Sequence, residues 1–165
     1  MSAPAMKIGI MAHTHDNPEA FEKAVAFFSG EKVGMVIHAG DFIAPFSLAY
    51  MEKLDCPWIG VFGENDGARQ RLMKASEQRI QESPYVLNLG GTRVFILYSE
   101  QEFELQRNEI EGEGLVIIGE PYVASVERSE GLLIVKPGDA SGYVAEKPTV
   151  CLFDSSENAG RIVEL

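Results

Sequence analysis

Residues 7–38 read KIGIMAHTHDNPEAFEKAVAFFSGEKVGMVIH, and the order of elements in this stretch decides the fold. Residues 7–12 are an apolar run typical of a buried strand, and residues 33–38 are a second such run. Between the two runs, Asn17 predicts the start of a helix as its cap, and Gly30 predicts the end of that helix. A strand, a helix and a strand in this order predict two parallel strands joined by a right-handed crossover.

The same alternation of strand and helix continues through the first half of the chain. The pattern predicts helices over residues 45–54 and 67–82, with a strand over residues 58–62 between them. The second half instead contains short strand-like runs separated by turn residues, with one short helical turn in residues 99–105. These later strands are expected at residues 85–89, 92–98, 114–119, 123–128, 131–136, 149–154 and 161–165. No linker or repeat interrupts the pattern, which predicts a single α/β domain over residues 1–165.

The composition is that of a globular protein, with 45% hydrophobic and 24% charged residues among 165 positions. The formal net charge of −11 argues against a nucleic-acid partner, because a nucleic-acid surface requires a basic patch. No apolar run approaches the ~20 residues that span a bilayer, and the N-terminal residues lack the long apolar segment of a signal peptide. The cysteines, Cys56 and Cys151, indicate no disulfide framework. We therefore expect a cytoplasmic protein that has no membrane partner.

Polar residues follow three of the apolar runs in the first half of the chain. His13 and His15 follow the first run, Asp41 follows the second and Glu64 follows the third. Because the carboxyl ends of parallel strands share one edge of a sheet, where ligands bind, we expect these side chains to converge. The two histidines are two positions apart, so an extended backbone would direct both imidazoles to the same side. Two histidines and a carboxylate can hold a divalent transition metal, to which Glu64 could add a further oxygen.

Structural roles for residues in these loops also remain open. His13 could be a surface histidine, and Asp16 or Asn17 could act only as a helix cap. His38 ends a predicted strand and is expected to make local hydrogen bonds instead of binding a metal. Asp66 is expected to be a turn or cap residue and not a general base.

Several segments of the chain carry a family resemblance. They are KIGIMAHTHDN (7–17), VIHAGDFIAPF (36–46), VFGENDG (61–67), VIIGEPYVA (116–124) and VKPGD (135–139). In this order they resemble the small archaeal and bacterial phosphodiesterases of the calcineurin-like metallophosphoesterase superfamily, and the resemblance covers nearly the whole chain. It implies a four-layer αββα sandwich of two mixed β-sheets flanked by helices. It also implies two divalent metals, often manganese, and hydrolysis of a small phosphoester by a metal-bound hydroxide.

The metal ligands expected from that resemblance are only partly present. Of seven such positions, only those of His15 and Asp41 are unchanged. The other positions hold different residues, namely His13 for an aspartate, Glu64 for an asparagine, and Ser99, Glu120 and Tyr122 for histidines. Ser99 is a poor metal ligand, and Tyr122 binds a metal only as a phenolate, which argues against a second metal.

The resemblance and its departures together imply one cation instead of two. His13, His15 and Asp41 would hold this cation, and Glu64 or Glu120 would join them. Asp41 and His15 would then act in catalysis through the metal-bound hydroxide. Manganese, iron or zinc suits these ligands better than magnesium, because magnesium disfavours histidine.

Three functions remain open on the sequence. The first is a metal-dependent phosphoesterase with a remodelled, mononuclear site and a small phosphoester substrate. The second is a catalytically inactive scaffold for protein interaction, for which a retromer coat subunit of the same superfamily is a precedent. The third is a different hydrolytic reaction in which Glu64 or Glu120 acts as the general base. Exposed strand edges in the second half could also pair between subunits and give a homo-oligomer.

Overall fold

A computed structural model describes residues 4–110 and 112–165 of the chain. The described residues form two β-sheets, one of six strands and one of five. In chain order the elements are β1 (Lys7–Met11), α1 (Pro18–Gly30), β2 (Met35–His38), α2 (Leu48–Met51), β3 (Trp58–Val61), α3 (Arg69–Ala75), β4 (Ile80–Gln81), β5 (Tyr85–Leu89), β6 (Thr92–Leu97), α4 (Glu100–Gln106), β7 (Gly114–Ile118), β8 (Ser125–Ser129), β9 (Leu132–Lys136), β10 (Thr149–Asp154) and β11 (Ala159–Glu164). A turn of 3-10 helix, Pro45–Ser47, runs directly into α2.

Both sheets are mixed, as predicted. The six-stranded sheet has the order β11-β10-β1-β2-β3-β4, in which β1 to β4 are parallel and the β10-β11 hairpin is antiparallel. The five-stranded sheet has the order β5-β6-β7-β9-β8, in which the three central strands are parallel and the two edge strands antiparallel. The carboxyl ends of the parallel strands in each sheet therefore meet at one edge.

Alternating side chains along the strands build a four-layer sandwich. In β7, Leu115 and Ile117 enter the core between the two sheets, whereas Val116 and Ile118 join a separate core on the other face. Phe103 of α4 covers that outer face. Buried residues of α1, α2 and α3 cover the outer face of the six-stranded sheet. The predicted αββα sandwich is confirmed.

Helix α1 begins as the sequence predicts. Oδ1 of Asn17 accepts the N–H groups of Glu19 and Ala20 at 3.1 and 3.4 Å, and Pro18 occupies the first helical position. This helix has 13 residues. Among residues 4–110 and 112–165, no helix combines the length and the apolar character that crossing a bilayer requires.

Two predicted helices are shorter in the structure. The helix predicted over residues 67–82 ends at Ala75, and the chain then turns into β4. Glu77 and Gln78 cause this turn, because they adopt left-handed φ angles of 52° and 64°. No glycine or proline marks the break, so the pattern alone gives no sign of it. The helix predicted over residues 45–54 consists of the 3-10 turn and the single α-helical turn of α2.

The two sheets make a close backbone contact where β2 and β7 end. Gly119 follows β7 and lies against Ala39, which follows β2. A Cβ atom at Gly119 would overlap with the carbonyl oxygen of Ala39, so only glycine fits there. The contact holds the polar loops of one sheet against those of the other.

Candidate metal centre

The loops that follow β1 and β2 stay paired beyond the ends of the strands. The N–H groups of His13 and His15 donate to the carbonyl oxygens of Gly40 and Asp41 at 3.0 and 3.1 Å. His13, His15 and Asp41 adopt left-handed φ angles of 57°, 45° and 66°. The backbone at the two histidines is therefore not extended, and that part of the prediction is wrong. The imidazoles nevertheless lie side by side, because their rings are stacked with centroids 5.3 Å apart.

Asp66 fixes the backbone of the loop that contains Asp41. Its carboxylate accepts the N–H groups of Asp41, Ile43 and Gly63 at 2.9, 2.7 and 2.8 Å. Ile43 has a φ of 88°, which a β-branched residue rarely adopts. Strained conformations of this kind cluster at functional sites and persist only where surrounding contacts hold them. The predicted structural role of Asp66 is confirmed.

The carboxylate of Asp41 is the point at which the polar groups converge. Its Oδ2 lies 3.0 Å from Nδ1 of His13 and accepts the Tyr98 hydroxyl at 3.0 Å and Nδ2 of Asn65 at 3.1 Å. Its Oδ1 accepts the backbone N–H of Asn65 at 2.9 Å. Burial raises the pKa of Asp41, but these hydrogen bonds hold it well below its usual range. The group is therefore an anion at neutral pH.

His13 is fully buried, and both of its ring nitrogens have partners. Its Nε2 lies 2.9 Å from the backbone carbonyl oxygen of Glu120, and its Nδ1 faces Asp41. A carbonyl oxygen only accepts hydrogen bonds, so Nε2 carries a proton. The ionised Asp41 carboxylate also only accepts, so the 3.0 Å contact places a proton on Nδ1 as well. A cation could take the place of that proton, and the carbonyl would then keep the remaining proton on Nε2 and leave Nδ1 as the ligand atom. The ring of Tyr122 stacks on His13 at a centroid distance of 4.1 Å and completes the enclosure.

His15 has a buried ring nitrogen that is unpaired within the described part of the chain. Its Nε2 makes no hydrogen bond and lies 4.0 Å from Oδ2 of Asp41. Burial lowers the pKa of His15, and the nearby Asp41 carboxylate opposes this effect only in part. The neutral imidazole is therefore favoured, and this is the form that binds metals. An unpaired buried nitrogen costs free energy, which a bound cation would recover.

The three side chains can share one divalent cation. One ligand atom from each of His13, His15 and Asp41 lies within 4.8 Å of the others. Ligands of one transition-metal ion lie roughly 3–4 Å apart, since each is about 2.1 Å from the ion. Small side-chain rotations would therefore bring the three atoms to such an ion. These distances confirm the predicted convergence of the three residues, while their role as ligands stays a prediction.

Comparison with known proteins gives the family. The model of the calcineurin-like phosphoesterase superfamily domain matches residues 6–158. The chain belongs to this superfamily. It is also 30% identical over 165 residues to phosphodiesterase MJ0936 of Methanocaldococcus jannaschii, an alignment that covers 97% of this chain and 99% of that relative.

Solved structures of the superfamily share the fold. An archaeal phosphodiesterase matches with a TM-score of 0.90 at 29% identity, covering 97% of this chain and 100% of that chain. The phosphoesterase Yfce of E. coli matches with a TM-score of 0.71 at 15% identity, covering 96% of this chain and 98% of that chain. At 15% identity, the match to Yfce shows only that the fold is shared. The αββα sandwich is thus the architecture of the superfamily.

Three residues that the family resemblance matches to ligand positions have side chains that lie outside the cluster. The Ser99 hydroxyl accepts the N–H of Glu102 at 3.1 Å and caps α4 in a capping box. The Glu120 carboxylate accepts the N–H of Glu100 at 3.0 Å, so it also serves the start of α4. Glu64 is exposed. Among the described residues, the ligand cluster includes neither Glu64 nor Glu120, and their predicted part in metal binding remains untested.

Tyr98 and Asn65 were not predicted as contacts of Asp41, although both donate hydrogen bonds to its carboxylate. Tyr98 directly follows β6, and Asn65 lies in the loop after β3. The sequence indicated these two residues only through their positions at the carboxyl ends of parallel strands, because neither tyrosine nor asparagine by itself indicates a metal site. Burial and the Asp41 carboxylate raise the pKa of Tyr98 well above its usual range, so its hydroxyl keeps the proton that it donates.

Asp139 shapes the loop that borders His13. Its carboxylate accepts five hydrogen bonds from the residues that follow, namely the N–H and hydroxyl of Ser141 and the N–H groups of Gly142, Val144 and Ala145. The N–H of Ser141 also lies 3.0 Å from the carbonyl oxygen of His13. Burial raises the pKa of Asp139, but its hydrogen bonds outweigh this effect and lower it. The carboxylate therefore holds this loop against the site.

His38 has the structural role that the sequence predicts. Gly40 donates its N–H to Nδ1 of His38 at 3.2 Å, and Nε2 lies 2.8 Å from the hydroxyl of Thr14. Burial lowers the pKa of His38 to about 3, so the ring is neutral at physiological pH. His38 thus joins the loops that follow β1 and β2, and within residues 4–110 and 112–165 it is not part of the ligand cluster.

Proposed function

We propose that this protein hydrolyses small phosphoesters with a single divalent cation held by His13, His15 and Asp41. One observation carries the proposal: Nε2 of His15 is buried and unpaired within the described residues, 4.0 Å from Oδ2 of Asp41. Membership of a phosphoesterase superfamily supplies the reaction class. The relative from Methanocaldococcus jannaschii, a phosphodiesterase, supports a phosphoester substrate.

The cation would supply the chemistry that the side chains lack. When bound, a divalent cation lowers the pKa of a coordinated water and stabilises negative charge on phosphoryl oxygens. Two imidazoles and a carboxylate favour manganese, iron or zinc. The cation also places positive charge where an anionic ester would bind. The formal net charge of −11 otherwise repels such an ester and argues against a nucleic-acid substrate. Glu64 and Glu120 are proposed as further oxygen ligands after a side-chain rotation.

The chain's own residues orient the ligands and admit the substrate. Asn65 and Tyr98 hold the Asp41 carboxylate in one orientation through hydrogen bonds to both of its oxygens. The side chain of His15 is 16% exposed, whereas those of His13 and Asp41 are fully buried. A substrate therefore reaches the cluster from the His15 side.

Metal analysis and a hydrolysis assay test this proposal. We expect about one equivalent of manganese in protein that was stripped with chelator and reloaded, and turnover of bis-p-nitrophenyl phosphate by the loaded protein. Asp41→Ala and His15→Ala should abolish both the bound metal and the turnover. Asp55→Ala, which removes an exposed carboxylate that is not part of the cluster, is the control and should retain both. Protein that neither binds metal nor turns over substrate would refute the proposal.

A scaffold without catalytic activity is the second candidate, and one observation favours it. The Asp41 carboxylate already accepts hydrogen bonds from Asn65 and Tyr98 and contacts His13, so protein groups alone balance its charge. If the protein is a scaffold, protein that was stripped with chelator and reloaded should hold no metal, and Asp41→Ala should change only the free energy of unfolding. The same measurements thus separate the two functions.

A further inference from the structure

We propose that three exposed side chains beside the candidate site, Val123, Tyr143 and Val144, form an apolar rim that binds an uncharged aromatic ester group of the substrate. The proposal rests on the proposed function, because it names the class of phosphoester that the same site accepts. In a phosphodiester, one ester group leaves during hydrolysis and the other stays on the phosphorus. The group that stays would contact the apolar rim.

Half of the exposed large apolar side chains belong to this rim. Within residues 4–110 and 112–165, six such side chains are exposed, and three of them are Val123, Tyr143 and Val144, at 78%, 65% and 63%. A single exposed apolar residue is common in soluble proteins, whereas a group of them marks a binding groove or an interaction surface. The three residues lie in the loops that follow β7 and β9, two parallel strands whose carboxyl ends meet at the edge of the site.

The loop that follows β9 is hydrogen-bonded to the loop of the two histidines. Ser141 donates its N–H to the carbonyl oxygen of His13 at 3.0 Å. The N–H of Tyr143 donates to the Ser141 hydroxyl oxygen at 3.1 Å, and the N–H of Val144 donates to the Asp139 carboxylate at 2.8 Å. Tyr143 and Val144 are therefore exposed on a backbone that is fixed next to the site.

The loop that follows β7 brings Val123 to the same region. Val123 directly follows Tyr122, whose ring centroid lies 6.2 Å from that of His15, the partly exposed member of the cluster. Ala124 packs on the loop after β9, because a Cβ atom at Gly138 would lie 2.9 Å from the Cβ of Ala124. The two loops of the apolar rim thus contact each other, and both contact the histidines on the side from which substrate enters.

Charge and aromatic character decide which ester group suits the apolar rim. The formal net charge is −11, and Glu64 and Glu146 are exposed carboxylates in loops at the same edge. An ester group that carries further phosphates would be repelled there. An uncharged ring loses apolar surface to the protein and can stack on the ring of Tyr143. The expected substrate is therefore a phosphodiester whose retained group is aromatic and uncharged.

Two substrates with the same leaving group test the apolar rim. Bis-p-nitrophenyl phosphate and methyl p-nitrophenyl phosphate both release p-nitrophenolate, but the retained group is aryl in the first and methyl in the second. The preference is the ratio of the two kcat/KM values for manganese-loaded protein. We expect the double variant Val123→Ser/Tyr143→Ser to lower this ratio about tenfold, because the aryl group loses apolar contacts. Comparison with the wild type cancels the different reactivities of the two esters.

Leu105→Ser removes a similarly exposed apolar side chain from α4 and should keep the wild-type ratio. Turnover of the methyl ester shows that each variant is folded. A wild-type ratio in the double variant would overturn the role of the apolar rim and leave the proposed function standing. If size-exclusion chromatography then shows that the double variant alone loses an oligomer, the rim is an interface between copies of this chain. Turnover of neither ester by the wild type would instead overturn the proposed function itself.

Discussion

The backbone of Gly40 lies against the ring of Tyr98, and a Cβ atom at Gly40 would be 2.7 Å from Cδ2 of that ring. Gly40 also has a φ of 113°, a conformation that residues with side chains rarely adopt. Gly40 follows β2 and Tyr98 follows β6, so this contact joins the two sheets at the candidate site. Both the conformation and the space require glycine.

Gly40→Ala should therefore lower the free energy of unfolding by about 2 kcal/mol, because it adds backbone strain to a steric overlap. Urea denaturation monitored by circular dichroism measures the change. Gly67→Ala is the control, since a Cβ atom at Gly67 would have nothing within 4 Å. Its free energy of unfolding should stay within about 0.5 kcal/mol of the wild type. Equal losses in the two variants would contradict the packing described for Gly40.

Bound manganese should stabilise the folded protein through His15. At a free metal concentration 100 times the dissociation constant, the expected gain is about 2.7 kcal/mol. His15→Ala should lose most of this gain, because it removes the ring nitrogen that faces Asp41. Thermal denaturation with manganese and after chelation measures the difference, with Asp55→Ala as the control. A gain of the same size in His15→Ala would show that the cation binds elsewhere.

Ser99→Ala should lower stability but leave the cation in place. Loss of a helix cap costs about 1 kcal/mol, and the Ser99 hydroxyl is the cap of α4. Ser99→Thr keeps a hydroxyl that can cap and should stay near the wild type. Urea denaturation and metal analysis of the same samples provide the two readouts. A Ser99→Ala protein that loses its cation would identify Ser99 as a ligand.

His38 should make the fold sensitive to acid. Burial lowers its folded-state pKa from 6.5 to about 3, so between these values the unfolded chain takes up a proton that the folded chain excludes. The stability linked to this group is fully present above pH 6.5 and falls as the pH approaches 3. Between pH 7 and pH 5 the loss should be about 2 kcal/mol.

His38→Gln keeps polar atoms for hydrogen bonding but does not titrate, so its free energy of unfolding should fall less steeply over this range. Urea denaturation at a series of pH values compares the two proteins. Residual dependence in the variant is expected from His15, whose pKa is also lowered by burial. Identical slopes in wild type and variant would contradict a buried neutral His38.

Much of the fold could be predicted because burial imposes a simple period on the sequence. In β6, Val94 and Ile96 face the core between the sheets, while Phe95 and Leu97 face the outer core. Such a strand is apolar at nearly every position, so the apolar run alone predicts a buried strand. The end of α3 could not be predicted, because no glycine marks the left-handed turn at Glu77 in the sequence.

The candidate site could be predicted only in part, for a physical reason. His13, His15 and Asp41 follow adjacent parallel strands, so topology alone brings them together. The direction of a loop side chain is not set by topology. Glu120 therefore turns its carboxylate to α4, and Tyr98 points its hydroxyl at Asp41. The spacing of three residues between Ser99 and Glu102 is typical of a capping box, but the family resemblance led to the interpretation of Ser99 as a ligand position instead.

The three proposed ligands and the carbonyl group that orients one of them belong to different sheets. His13, His15 and Asp41 extend from the six-stranded sheet, whereas the Glu120 carbonyl that fixes the tautomer of His13 extends from the five-stranded sheet. The contact of Gly119 with Ala39 sets the offset between these layers. A shift of one layer relative to the other would change which ring nitrogen of His13 carries a proton, although the three proposed ligand residues would be the same. The affinity of the proposed cation site would thus depend on how the two halves of the sandwich are aligned, and mutations far from any proposed ligand would change it.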